Sequence, residues 1–118
     1  MVATATVTDR LPPQAAIDMQ HLARMTLGEQ SLQREVLALF DRQSTILLAR
    51  MRSAAPAGVA TLAHTLKGSA RGIGAWRVAR AAEALEVAGA ADTGAALDAL
   101  VAAIEETRGV IAELLKVN

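Results

Sequence analysis

"VATLAHTLKGSARGI", residues Val59 to Ile73, is the stretch that decides the fold. At about 100° per residue, Val59, Leu62, Leu66, Ala70 and Ile73 fall on one side of a helix. His64 falls on the opposite side. Arg71 lies within roughly 20° of it, Gly68 about 40° to one side and Lys67 about 60° to the other. One face is therefore apolar, and the other carries an imidazole, two cations and a bare patch of backbone. A helix so divided must bury its apolar stripe against other elements. Gly68 is out of place in such a helix, because an interior glycine costs roughly 1 kcal/mol relative to alanine. Elsewhere the chain uses alanine freely.

The same periodicity continues on either side. A first short helix is predicted over about Gln14 to Met25, with Ile17, Leu22 and Met25 inward and Gly28 closing it. A long second helix follows from about Gln30 to Ala54, with apolar positions Leu32, Val36, Leu39, Phe40, Leu47 and Met51. Pro56 and Gly58 break it, and the third helix covers Val59 to Ile73. Gly74 permits a bend, after which Val78, Ala82 and Leu85 carry a fourth helix to Gly89. "AADTG" is a loop with Asp92 or Thr93 as N-cap. The last helix runs to about Lys116 on a stripe of Leu97, Leu100, Val101, Ile104, Ile111, Leu114 and Leu115. Short connections favour antiparallel neighbours. The expected fold class is thus all-α, an antiparallel up-and-down four-helix bundle with a short extra N-terminal helix. Residues 1–13 read as a flexible arm ending at Pro12-Pro13, and 14–118 as one helical domain.

Composition narrows the functional classes. Hydrophobic residues make up 53% of the 118, but aromatic residues only 2%, so Phe40 and Trp76 are the only large rings. The core must be built from small and aliphatic side chains, which suits close helix packing. Lys+Arg and Asp+Glu each total 12, which leaves no net basic field for nucleic acid or an anionic membrane. Cysteine is absent, so disulfides and thiolate metal sites are excluded. No apolar run approaches the roughly 20 residues of a membrane span, and the N-terminus lacks a signal-peptide pattern. A cytoplasmic protein is the expectation, and a monomer the simpler one.

The His64 face suits phosphoryl transfer. A neutral imidazole nitrogen is a competent nucleophile near neutral pH. A cation one turn away, Lys67, can stabilise charge on the transferring oxygens, and positioning with electrostatics is most of what that step requires. Gly68 leaves clearance above the helix for the phosphoryl group and the protein that carries it. Arg71 adds to a local basic spot. Gln43, on the second helix, is a candidate to hydrogen-bond the imidazole or phosphoryl group, and equally an ordinary polar position.

"AHTLKGSARGIGA" resembles the signature of histidine-containing phosphotransfer (HPt) domains, in the spacing of His64, Leu66, Lys67, Gly68, Ser69, Ala70, Ile73, Gly74 and Ala75. "FDRQ" and "VARAAEALE" sit where similar segments occur, so the likeness extends from about Ile17 onward and is specific around His64. Arg71-Gly72 departs from the small or polar residues common there. The resemblance implies a four-helix bundle, His64 as phosphoacceptor on Nε2, Lys67 stabilising the phosphoryl oxygens and Gly68 giving access. It implies partners that are receiver domains of response regulators and hybrid histidine kinases, with Mg²⁺ on the receiver and no cofactor or metal on this chain. The protein would be a stoichiometric phosphocarrier without autokinase activity, passing phosphate from one receiver aspartate, or a kinase, to another receiver aspartate.

Two alternatives stand beside it: a non-phosphorylated helical interaction module, and the detached phosphotransfer domain of a larger kinase. The initial methionine and the end soon after the last helix favour a free-standing protein. His21 reads as a boundary residue, and two histidines without matching carboxylates make no zinc site. Met19, Met25 and Met51 read as core filler, and Trp76 as packing at the bundle end. "GSARGIG" lacks the phosphate-loop pattern and a preceding strand.

Overall fold

A computed structural model describes residues 16–116. The arm expected over 1–13, and Gln14 with it, lies outside the described residues. Five helices follow in order: α1 (Met19–Met25), α2 (Gln30–Arg52), α3 (Pro56–Ile73), α4 (Trp76–Glu86) and α5 (Thr93–Lys116). No strand occurs among the described residues. The long helices α2 to α5 close a ring in which α3 packs on α2 and α4, and α5 on α4 and α2, while α1 lies against α3. This is the all-α bundle with a short N-terminal helix that the periodicity predicts. No helix among the described residues is long and apolar enough to cross a membrane.

Local chemistry sets the boundaries. The α1 helix starts at Met19 because Asp18 is extended there and its carboxylate accepts the backbone N–H of His21 at 3.1 Å. The α3 helix starts three residues before the predicted Val59, since Pro56 suits a first helical turn rather than breaking it. Gly74 ends α3 at φ +80°. A Cβ there would also sit 3.0 Å from the Asp18 Cβ and carbonyl oxygen. Glycine is thus required twice over, by conformation and by contact. Fourth-helix geometry ends at Glu86, short of Gly89. The Asp92 carbonyl accepts the Ala96 N–H, which makes Asp92 the flanking residue of α5.

Leu22, Phe40, Met51, Leu66, Leu100, Ile104 and Ile111 are fully buried at the centre. Each such side chain contributes about 1.5–3 kcal/mol relative to exposure. Ser44 and Thr107 are buried among them, their hydroxyls donating to the carbonyls of Asp41 and Ala103 on their own helices. At the rim, Arg77 on α4 pairs with Glu106 on α5 at 2.6 Å, and Arg108 on α5 with Asp41 on α2.

Four predicted core positions are corrected. Met19, Met25, Leu32 and Leu39 are exposed, and Leu37 and Leu48 enter the core instead. The reason lies in α2, which carries two apolar stripes. Only the stripe through Leu37, Phe40, Ser44, Leu47, Leu48 and Met51 faces the bundle. Met25 ends α1 just before a turn in which Leu27 and Gly28 both have positive φ. Trp76 packs as expected at the bundle end: its indole N–H donates to Asp18 Oδ2 at 2.9 Å, with the His21 ring edge-on at 4.9 Å.

Candidate functional site

Antiparallel packing of α3 on α4 through the Gly74 bend places residues equidistant from the bend at the same height. Ala75 lies eleven residues from both His64 and Glu86. In the structure these two meet: His64 Nδ1 lies 2.8 Å from Glu86 Oε2. The Lys67 ammonium, one turn along α3, lies 2.7 Å from the other oxygen, Oε1. One carboxylate therefore bridges imidazole and ammonium.

Exposure differs sharply across the group. The His64 side chain is 68% exposed, whereas Glu86 is 24% and Lys67 only 14% exposed. The ring stands in solvent while its supports are recessed. The Lys67 ammonium foremost, and then the His64 ring, hold the Glu86 carboxyl below its ordinary value of 4.5, against a smaller opposing effect of burial. A carboxylate can only accept, so the proton of this contact belongs to His64 Nδ1. A neutral ring bonded in this way carries its lone pair on Nε2, the nitrogen on the far side of an exposed ring.

The other predicted residues are distributed around this group. Gly68 is open: a Cβ there would meet nothing within 4 Å. Arg71 pairs loosely with Glu83 of α4 at 3.8 Å, both side chains about half exposed. Gln43 lies elsewhere, in a groove it lines with Ser69, Gly72 and Ile73 of α3, and it makes no hydrogen bond to His64 among the described residues. The structure therefore gathers His64 and Lys67 around Glu86, sets Arg71 beside them, and leaves Gln43 on the flank toward α2. Glu86 was not singled out by the sequence. Its equal distance from the bend is the signal that finds it.

No group of three or more metal-ligating side chains occurs among the described residues. Comparison with curated proteins and with solved structures gave no match in either case. A family model, the Hpt domain, matches residues 35–110, more than half of the chain and inclusive of α3, α4 and the His64–Glu86–Lys67 group. The chain belongs to the Hpt domain family, the histidine phosphotransfer modules of two-component signalling.

Proposed function

We propose that this protein is a phosphorelay intermediate whose acceptor atom is His64 Nε2. The observation that carries the proposal is the 2.8 Å contact between Nδ1 and Glu86 on a ring otherwise open to solvent. With Nδ1–H held by a carboxylate, the Nε2 lone pair attacks the phosphorus of a receiver's aspartyl phosphate. The P–O bond to the aspartate breaks, its electrons leave on the carboxylate, and an N–P bond forms. The ring becomes cationic, and Glu86 stabilises it through the hydrogen bond already in place. Delivery to a second receiver reverses these steps.

Lys67 has two tasks in this scheme. It fixes the Glu86 carboxylate in the resting state, and its remaining N–H donors face the phosphoryl oxygens during transfer. Gly68 supplies clearance, and Arg71 gives a positive spot that favours approach of an acidic receiver pocket. The Mg²⁺ such a step uses belongs to the receiver. The chain acts as a stoichiometric carrier.

The test is phosphate transfer from ATP-charged hybrid kinases and receivers of the same organism to the native protein and to His64→Gln. Acid-labile, base-stable label on the native protein alone is expected. Label persisting on His64→Gln refutes the acceptor. No label across the panel, with folding confirmed by circular dichroism, refutes the relay and favours an interaction module.

A further inference from the structure

A groove of about 300 Å³ opens between the start of α1, the first turns of α2 and the last turn of α5. Leu37, buried, lies at its base, and Met19, Leu114 and Leu115 give it apolar walls. Gln30, Gln33 and Arg34 form its polar edge. The Arg34 guanidinium donates to the Leu115 carbonyl at 2.7 Å, which ties together the two helices that carry the walls. Met19 is 43% exposed there, an apolar side chain that the core does not use.

The chain itself indicates what covers it. The described residues begin at Ala16, three residues before Met19, and both Ala16 and Ile17 are buried. Three residues span at most about 11 Å, so the chain enters the bundle beside the groove. The fifteen residues ahead of that point include Val7, Leu11, Pro12 and Pro13, with one acid, Asp9, and one base, Arg10. Two consecutive prolines restrict the backbone before any contact is made, which lowers the entropy lost on docking. In the extended form that prolines favour, Leu11 to Ala16 spans about 15 Å. The groove runs roughly 10 Å along α2 from Gln30 to Leu37 at helical rise, which is within that reach. A tethered segment also acts at an effective concentration of about millimolar. A contact too weak to hold a separate protein is then enough to hold it.

We infer that residues 7–13 dock in this groove of their own chain, with Leu11 set among Met19, Leu37, Leu114 and Leu115. The amides of Gln30 and Gln33 donate to carbonyls of the Leu11-Pro12-Pro13 segment, whose prolines offer acceptors and lack N–H groups. Asp9, two residues ahead of Leu11, brings the one carboxylate of residues 1–15 to the side of Arg34. Docked in this way, the arm straps α1, α2 and α5 together. The groove lies between α2 and α5, across the ring from the α3–α4 edge that carries His64 and Glu86. The inference is therefore independent of phosphotransfer.

Paramagnetic relaxation in the full chain tests it. The sequence has no cysteine, so Thr8→Cys places a single nitroxide in the arm. Loss of the methyl signals of Met19, Leu37, Leu114 and Leu115 is expected, while those of Val59 and Val87, at the other end of the bundle, persist. Thr6→Cys should give the same pattern, and a different one would assign it to the label and overturn the docking. Adding Leu11→Asp weakens docking roughly tenfold, the loss expected for one buried Leu side chain. The groove signals then return while circular dichroism stays unchanged. Signals lost evenly over the surface, or lost at the groove but indifferent to Leu11→Asp, overturn the inference. Nitroxide-bearing chains mixed with isotope-labelled, nitroxide-free chains should broaden nothing. Broadening of the groove signals in that mixture assigns the arm to a second copy and overturns docking within the chain.

Discussion

Glu86→Gln removes one charge from the site and almost no volume. In the native protein the Glu86 carboxylate accepts from His64 Nδ1 at 2.8 Å and lies 2.7 Å from the Lys67 ammonium. The amide retains one oxygen, and two acceptor contacts then compete for it. The Lys67 ammonium, only 14% exposed, loses its counter-charge and takes that oxygen, turning the NH₂ group toward His64. An NH₂ group cannot accept from Nδ1–H, so the tautomer with the lone pair on Nε2 loses its support. Carboxylates that orient an imidazole are worth about 10–100-fold in function where the ring is fixed by a metal. Here the ring is 68% exposed and water competes for Nδ1–H, so the lower end applies, about a tenfold loss. The assay is the rate of phosphorylation by phosphoramidate, which needs no protein partner, together with the ¹⁵N shifts of the His64 ring. A slower rate with a raised Nδ1 lone-pair population is expected. An unchanged tautomer ratio with a native rate refutes the orienting role of Glu86, whatever the outcome with receivers.

Three further outcomes follow from particular contacts. Gly68→Gln meets no neighbour at its Cβ, so it should stabilise α3 by up to about 1 kcal/mol on thermal unfolding while slowing transfer from a receiver more than from phosphoramidate; equal rates with both donors would remove the case for clearance. Gly74→Ala puts a Cβ at φ +80° and 3.0 Å from Asp18 backbone and side chain, and should cost about 1–3 kcal/mol in urea unfolding; a loss below half of that would mean the bend relaxes freely. Asp18→Ala removes the α1 cap and the acceptor of the Trp76 indole, costing about 1–2 kcal/mol and shifting Trp76 fluorescence. The Trp76 N–H foremost, and then the His21 backbone N–H, hold the Asp18 carboxyl below its ordinary 3.8. Its contribution is therefore present above that value and lost as pH falls through the lower folded one. Acid titration of native stability should show that step below pH 3.8, and Asp18→Ala should lack it.

How much was legible depended on whether a feature lies within one helix or between two. His64, Lys67, Gly68 and Arg71 share a face of α3, and helical phase alone separates them from Val59, Leu66, Ala70 and Ile73. On α2 the apolar positions Leu32, Val36, Leu39, Phe40, Leu47 and Met51 read from the sequence as one set, whereas the structure exposes Leu32 and Leu39 and buries Leu37 and Leu48. That choice is made by the neighbours: the bundle has room for the Phe40 side of α2, and the Leu39 side is left outside. Glu86 belongs to a different helix from His64, and its part in the site depends on the height at which α4 returns past α3. The Gly74 bend sets that height, through its positive φ and the Asp18 contact that admits no Cβ. The residue that fixes the tautomer of His64 is therefore positioned by a glycine ten residues from the histidine. It follows that Gly74→Ala should disturb the His64–Glu86 pair as well as stability, raising the Nδ1 lone-pair population in the same ¹⁵N experiment. A variant that loses stability but keeps the native tautomer ratio would show that helix packing, and not the bend, sets the register of the site.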